Sequence, residues 1–263
     1  MASTDLASIR AEAWLEVSDL LELQLSPLGQ CAIEALAPKQ SEAIIDVGCG
    51  TGQTVLQLAA QVGATGHVVG VDIASPLLER ARLRAAGLRQ VDFIQCDACQ
   101  LRLPKNSMDC VYSRFGVMGF ADPIAAFCNF HSLMKPSGRL AFVCWRSLEE
   151  NELDIMPLRA AALEDRADKT PFRFEDPQFT RAVLSTAGFQ NIAICPHDRL
   201  VSSGGLEEML KVLLKVGAVG KIVRENPQMR ERVEDCLRAA LASTMAHGRV
   251  ALNAAIWVVT ATA

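Results

Sequence analysis

The chain of 263 residues has few aromatic side chains, no excess of basic residues and no long uncharged apolar run. Aromatic residues make up 5% of it, and lysine and arginine number 26 against 30 aspartates and glutamates. A net charge of −4 does not favour nucleic-acid binding, which usually needs a basic surface. No apolar run approaches the ~18 residues of a membrane-spanning helix, and the first residues lack the pattern of a signal peptide. We therefore expect a cytoplasmic protein whose partners are neither nucleic acid nor membrane.

The cysteines do not form a complete set of metal ligands. There are nine, an odd number, scattered along apolar segments as buried free thiols in a reducing compartment would be. Cys96 and Cys99 have the C-x-x-C spacing of a redox pair or of half a zinc site, but no second pair completes such a site. We expect no metal, and interpret these cysteines as small residues flanking Asp97.

The most informative segment runs from residue 44 to residue 53. A short apolar run ends in Asp46, and Gly48, Gly50 and Gly52 then alternate before a helical pattern begins. Glycine permits positive φ and lets a ligand lie against bare backbone, and a helix start offers unpaired N–H groups. The segment therefore predicts a strand, a tight turn and a helix that together hold a polar or anionic group.

The spacing of these glycines argues against a dinucleotide. Dinucleotide-binding folds use G-x-G-x-x-G, whose third glycine lets the helix pack closely. Here Gln53 occupies that third position, and Asp46 places before the loop a carboxylate that would repel pyrophosphate and suit an ammonium group. The pattern favours a nucleoside with an amino-acid-like tail, and a nicotinamide-dependent oxidoreductase is the less favoured alternative.

Apolar β-branched runs alternate with helical patterns over the first half of the chain. Alternation of this kind predicts an α/β fold whose parallel sheet carries helices on both faces, with ligands at the carboxyl ends of the strands. The predicted strands are residues 43–48, 67–72, 91–96, 108–113 and 139–145, and the predicted helices between them are 52–62, 75–86 and 122–134.

The remaining segments are mostly helical. Helices are predicted at 5–25, 153–166 and 176–187, strands at 191–201 and 250–260, and a helix-rich insertion at 206–247. The insertion is unusually apolar, which is typical either of a membrane-surface helix or, as we favour, of packing on the sheet edge, a substrate or a second subunit. The predicted divisions are an N-terminal helical cap (1–40), a cofactor-binding core (41–146), late helices and a strand (147–203), a helical lid (204–248) and a final strand (249–263).

Four motifs in order resemble those of the class I S-adenosylmethionine-dependent methyltransferases. They are residues 47–52 after the acidic strand end, 69–72, 95–98 and 133–140. The resemblance covers roughly residues 40–146, with a similar final strand near 250–262. It implies a Rossmann-like, seven-stranded, mostly parallel sheet with an antiparallel last strand, a helical lid and S-adenosyl-L-methionine as cofactor. The sequence as a whole resembles bacterial methyltransferases of secondary metabolism.

The resemblance also implies roles for individual residues at the cofactor. Asp46, Gly48, Cys49, Gly50 and Gly52 would hold the amino-acid tail, Asp72 the ribose hydroxyls, Ile73 one face of the adenine, and Asp97 and Ala98 its edge. Ser113 and Arg114, after the fourth strand, would border the sulfonium and the acceptor. The structural alternative for Asp72 is a helix N-cap, although Ser75 is expected to cap that helix and Pro76 to lie in its first turn.

Methyl transfer needs alignment and exclusion of water, and a general base is optional. Arg114, His197 and His247 are the candidates for a catalytic role, and Arg114 could equally form a surface ion pair. Trp14, Phe115, Met118 and Trp145 are candidates for contact with the acceptor, although such side chains are often core residues. A wider apolar pocket is suggested by Phe120, Phe172 and Phe174.

The sequence thus predicts transfer of a methyl group to an oxygen, nitrogen or carbon of a small, at least partly apolar acceptor, by a monomer or homodimer. The alternative is a regulatory protein that binds S-adenosylmethionine without turnover. Both alternatives predict an intact cofactor site, and only product formation separates them.

Overall fold

The computed structural model describes residues 11–263, in which seven strands form one sheet. The strands are β1 (Ala43–Val47), β2 (His67–Asp72), β3 (Val91–Gln95), β4 (Met108–Arg114), β5 (Met134–Trp145), β6 (Gln190–Gly204) and β7 (Val250–Thr262), in the order β3-β2-β1-β4-β5-β7-β6. The five neighbouring strands β3, β2, β1, β4 and β5 pair in parallel. Backbone bonds join Ala263 to Gly138 and Arg146 to Ala255, so β7 runs antiparallel to β5. The predicted mostly parallel, seven-stranded α/β fold is confirmed.

Within residues 11–263, α-helices precede and connect these strands. They are α1 (Ser18–Leu36), α2 (Gln53–Val62), α3 (Ser75–Arg84), α4 (Pro123–Leu133), α5 (Glu152–Ala161), α6 (Pro177–Thr186), α7 (Leu206–Leu213), α8 (Gly217–Glu225) and α9 (Arg230–Thr244). Residues 11–16 are also helical. Residues 5–10 of the helix predicted over 5–25 lie outside the described part of the chain. No helix of residues 11–263 is both long and apolar enough to cross a membrane.

The chain divides into two compact units. The first, here called the core unit, comprises Leu28–Cys144, Arg173–Pro196 and Trp257–Ala263. The second, the helical unit, comprises Met1–Pro27, Trp145–Phe172 and His197–Ile256. Every predicted cofactor-binding residue belongs to the core unit.

Burial explains why the start of the core unit folds as a strand followed by a helix. Ile44 and Ile45 of β1 are fully buried between β2 and β4. Helix α2 then buries Thr54, Val55, Leu58, Ala59 and Val62, which recur at the spacing of one helix face. It ends at Gly63, whose φ of 70° is readily available only to glycine.

Two element boundaries differ from the sequence-based prediction because of local backbone features. Strand β5 begins at Met134, five residues before the predicted start, and its register with β4 shifts between the Met108–Met134 and Cys110–Arg139 pairs. Helix α5 ends at Ala161 instead of continuing to 166, because Ala162 takes a left-handed conformation with φ of 54°.

Helix α1 continues eleven residues beyond the predicted end of the N-terminal helix. Pro27 lies inside it, and an interior proline usually ends or kinks a helix. Leu28, Ala32, Ile33 and Leu36 after the proline are nonetheless almost fully buried. Burial of this apolar face outweighs the backbone hydrogen bond that proline cannot make.

A cluster of phenylalanine rings fills part of the core unit. Phe127 lies 5.6–6.3 Å, centroid to centroid, from the rings of Phe130, Phe142, Phe174 and Phe189. Phe120 joins the cluster at 6.0 Å from Phe127. The suggestion that Phe120 and Phe174 line an apolar acceptor pocket is therefore wrong for Phe174, which is 1% exposed and packs among rings.

The apolar insertion is covered within the helical unit. Met209, Leu210, Val212 and Leu213 of α7 are buried, and α7 contacts α9, which in turn contacts α5. The apolar face of α7 is therefore occupied by packing and is not presented as a membrane-surface face.

Candidate cofactor site

The three alternating glycines form a turn in which Gly48 and Gly52 are closely packed and Gly50 is open. Gly48, Gly50 and Gly52 all have positive φ, at 70°, 54° and 82°. A Cβ on Gly48 would lie 2.6 Å from the Cα of Gly116, and one on Gly52 would lie 2.9 Å from the Cβ of Ala81. A Cβ on Gly50 would meet no heavy atom of the described chain within 4 Å. The loop therefore exposes backbone at Gly50.

Asp72, at the carboxyl end of β2, is oriented by two backbone donors. Gly50 N–H donates to its Oδ2 and Ala74 N–H to its Oδ1, each at 2.9 Å. Each carboxylate oxygen still has lone-pair capacity for a further donor, such as a ribose hydroxyl. The expectation that Ser75 caps the following helix is wrong, because Ala74 holds the N-cap position and no side chain caps it.

Ile73 follows Asp72 with its side chain in solvent. The residue is 65% exposed, and the Gln95 amide donates to its carbonyl at 3.3 Å. A large apolar side chain held in the open beside an acid offers a surface for a flat ring. Contact with adenine stays a prediction.

Asp97 and Ala98 form the turn after β3. Asp97 Oδ1 accepts from Cys99 N–H at 2.8 Å, so Asp97 caps this short turn. Asn129 of α4 donates to the carbonyl of Ala98 at 3.0 Å and fixes the turn against the helix. Burial, together with the hydrogen bond to Asp97 and the nearby carboxylates, raises the pKa of the Cys99 thiol to about 11. That thiol is protonated at neutral pH, which does not suit redox chemistry.

Asp46 is fully buried where β1 meets the loop. The hydroxyl of Thr54 donates to its Oδ2, which joins the strand end to the first turn of α2. This contact makes Asp46 a support of the loop, and its contact with an ammonium group stays a prediction. Burial, with Asp46 and Asp72, raises the pKa of the Cys49 thiol well above its ordinary value, so Cys49 is not a thiolate nucleophile.

Ser113 joins the end of β4 to the end of β1. Its hydroxyl donates to the carbonyl of Val47 at 2.7 Å and accepts from Gly116 N–H at 3.1 Å. A Cβ on Gly116 would lie 2.3 Å from the Val47 oxygen, so only glycine fits there. Ser113 is fully buried, which makes it a support behind the loop.

The segment after β4 carries the remaining candidates of the core unit. A Cβ on Gly29 of α1 would lie 2.6 Å from Cδ of Arg114, so the stem of this arginine lies against the helix. Phe115 has a φ of 64°, which is strained for an aromatic residue and typical of functional turns. Met118 is 9% exposed. The roles of these three residues stay predictions.

The other four candidates lie in the helical unit. Trp14 is half-buried, Trp145 is 9% exposed and His197 is half-buried. His247 is exposed in a tight turn in which Ala246 and Arg249 exchange both backbone bonds. Their proposed roles in catalysis or acceptor binding are untested by this geometry.

Sequence reasoning missed several residues that build the site. Thr54 anchors Asp46, Gly116 allows the close approach to the loop, and Arg84 donates to Thr51 Oγ1 at 2.7 Å. Gly116 could have been identified from the sequence, because it is a glycine three residues after the candidate Ser113. Nothing in the spacing of α3 distinguishes Arg84 from its arginine neighbours.

The sequence is similar to proteins of known family. A family profile described as a methyltransferase domain matches residues 44–138. Over 178 residues the chain is 31% identical to the ubiquinone/menaquinone biosynthesis C-methyltransferase UbiE of Cellvibrio japonicus, covering 60% of this chain and 71% of that protein. The chain belongs to the S-adenosylmethionine-dependent methyltransferases.

One further relative and one solved structure are also similar to this chain. Aklanonic acid methyltransferase DauC of Streptomyces sp. (strain C5) is 32% identical over 119 residues, 44% of this chain, and the match spans about half (54%) of that relative. A phosphoethanolamine N-methyltransferase of Haemonchus contortus, solved with S-adenosylhomocysteine, superposes with a TM-score of 0.56 at 17% identity. That match covers 90% of this chain and 52% of the other, and it shows the shared fold.

The residues present fit the cofactor of this family. The loop leaves open backbone at Gly50, the oxygens of Asp72 are already oriented, and Ile73 offers an apolar face. No group of three or more metal-ligating side chains converges within residues 11–263.

Proposed function

We propose that this protein transfers the methyl group of S-adenosylmethionine to a small, partly apolar acceptor, and that the acceptor is a quinone or a related cyclic compound. The observation that carries the proposal is the preformed loop, open at Gly50 and bonded to Asp72. The name of one relative supports the acceptor class, since UbiE is named for the biosynthesis of ubiquinone and menaquinone.

The chain's own residues bind and orient the cofactor. Gly50 gives the methionyl part access to the backbone, Asp72 accepts from the ribose hydroxyls, and Ile73 and Asp97 flank the adenine. When bound, S-adenosylmethionine supplies an electrophilic methyl group on a positively charged sulfur. Alignment of that group with the acceptor is the main task left to the protein, because the methyl is already activated.

We propose that Arg114, Phe115 and Met118 contact the acceptor in the core unit. Trp14 and Trp145 of the helical unit are separate candidates for acceptor contact. The strained backbone at Phe115 supports this assignment, because strain of this kind collects at binding sites. Arg114 would orient an acidic oxygen of the acceptor. His197 and His247 are the candidates for a general base, which a hydroxyl acceptor would need more than an amine or a carboxylate.

A methyl-transfer assay tests the proposal. The purified protein is incubated with S-adenosylmethionine carrying a labelled methyl group and with demethylmenaquinone bearing a short side chain, which is first reduced to its nucleophilic hydroquinone. The expected result is label in the organic extract together with stoichiometric S-adenosylhomocysteine. Cofactor binding without label in any member of a panel of quinones, phenols and amines would favour the non-catalytic alternative.

A further inference from the structure

One face of helix α3 packs against the glycine loop. Ala81 approaches Gly52 so closely that a Cβ on the glycine would lie 2.9 Å from the alanine Cβ. Arg84, three residues later and therefore on the same face, donates through Nη1 to Thr51 Oγ1 at 2.7 Å and to the Thr51 carbonyl at 3.4 Å.

Three consecutive loop residues are thus attached to the segment formed by β2 and α3. Gly50 N–H bonds to Asp72 at the end of β2, Thr51 is held by Arg84, and Gly52 packs on Ala81. Thr51 is 8% exposed, so its hydroxyl faces protein rather than solvent. The attachment of Gly50 depends on a short carboxylate side chain and that of Gly52 on a methyl group, and only the attachment of Thr51 depends on a long side chain.

We propose that Arg84 is a positioning residue for the cofactor: it holds Thr51 so that the open backbone at Gly50 is in its binding conformation before the ligand arrives. A guanidinium suits this task because it can reach the hydroxyl and the carbonyl of one residue together. A loop that is ordered in advance loses less entropy on binding, so affinity depends on Arg84 although its contacts are with the loop.

A positioning role for Arg84 predicts how the dissociation constants of the two ligands change in its variants. Arg84→Ala is expected to weaken binding of S-adenosylhomocysteine by about 5- to 30-fold, the effect of losing one or two charged hydrogen bonds. Binding of S-adenosylmethionine should weaken by the same factor, because the loop is shared by both ligands. The matched control is Arg80→Ala, which removes the same charge from an exposed position of the same helix and should stay within about twofold of wild type.

A double-mutant cycle shows whether Arg84 acts through Thr51. Thr51→Val removes the hydroxyl and keeps the shape of the side chain. In that background the effect of Arg84→Ala should shrink to less than about threefold, because the main contact is already lost. Arg84→Lys retains a donor and should recover part of the affinity, whereas Arg84→Met, which keeps an aliphatic stem but has no donor, should not.

Hydrogen exchange supplies a local readout in the ligand-free protein. In Arg84→Ala the amides of residues 49–53 should exchange faster, while the amides of β1 and β4 keep the wild-type rate. If Arg84→Ala does not fold, Thr51→Val and Arg84→Lys test the same contact. Affinity within twofold of wild type in Arg84→Ala, equal losses in Arg80→Ala and Arg84→Ala, or additive effects in the cycle would each overturn the proposal.

Discussion

We propose Gly50 as the residue on which recognition of the cofactor most directly depends. Its φ of 54° is accessible to glycine, and the space in front of it is free of chain atoms within residues 11–263. Conformational freedom and open space together distinguish it from Gly48 and Gly52, whose missing side chains are explained by packing.

Gly50→Ala is predicted to weaken S-adenosylhomocysteine binding by about 5- to 150-fold, because a methyl group in this space costs about 1–3 kcal/mol of ligand packing. Calorimetric titration measures the effect. Gly87→Ala is the matched control, since Gly87 has a φ of 92° and equally open space. Both variants should lose about 1–2 kcal/mol of folding stability from backbone strain. Equal affinities in the two variants would remove Gly50 from the site.

Asp72→Ala is predicted to weaken cofactor binding by about 1–3 kcal/mol, the range of a lost hydrogen bond to a charged group. The carboxylate also orients Gly50 and Ala74, so part of the loss comes from the loop. Asp92→Ala removes an exposed carboxylate that pairs with His67 and should bind the ligand normally. An unchanged dissociation constant in Asp72→Ala would exclude the ribose role.

The residues of the site were predictable to different extents. Glycine spacing and acids at strand ends identify Gly50, Asp72 and Asp97 because the chemistry of the ligand fixes those residue types. Supports such as Thr54 and Arg84 are specified by distances across the fold, which no spacing in the sequence expresses.

At the scale of elements, an ion pair joins the start of β1 to β5. Arg139 donates through Nη2 to both carboxylate oxygens of Glu42, at 2.8 and 3.0 Å, and through Nε to the Leu36 carbonyl at 3.0 Å. Burial raises the pKa of Glu42, but the Arg139 and Lys39 hydrogen bonds outweigh it, so the pKa lies below its ordinary value. The pair therefore fixes the end of α1 against the sheet.

Glu42→Gln is predicted to lower the free energy of unfolding by about 1–3 kcal/mol near pH 7. Because the folded-state pKa is lowered, the stabilisation is present above the unfolded value of ~4.3 and is lost as pH falls through the folded value. Urea unfolding at neutral pH and at about pH 3 should show the difference between wild type and variant narrowing in acid.

The control for this prediction is Glu149→Gln. Glu149 pairs with Arg159, but both side chains are more than half exposed. Exposed pairs contribute about 0–1 kcal/mol, so this variant should differ little from wild type at either pH. A gap between wild type and Glu42→Gln that does not change with pH would contradict the assigned role of the carboxylate.

Strands and helices of the core unit were largely predictable because apolar runs alternate there with amphipathic patterns. The errors have separate causes. Helix α1 continues through Pro27 because tertiary burial of Leu28 and Leu36 stabilises it, and Ala162 adopts a left-handed conformation although it is not a glycine. The start of β5 at Met134 depends on its pairing with Met108, a long-range contact.

At the scale of the whole molecule, the order of the motifs predicts the fold and the cofactor. It does not predict the acceptor. The two units alternate along the chain, each built from three segments, so neither can be read from a contiguous stretch of sequence. The candidates for acceptor contact and for catalysis, from Trp14 to His247, are correspondingly spread over the chain. The acceptor class therefore rests on the name of one relative and awaits the methyl-transfer assay.

The most direct test of the central claim is a calorimetric titration of the full chain with S-adenosylhomocysteine, with NAD in a parallel experiment. We predict stoichiometric, low-micromolar binding of S-adenosylhomocysteine and no heat of binding with NAD, because Gln53 replaces the third glycine and Asp46 disfavours pyrophosphate. Binding of NAD, or of neither ligand by a folded sample, would contradict the account.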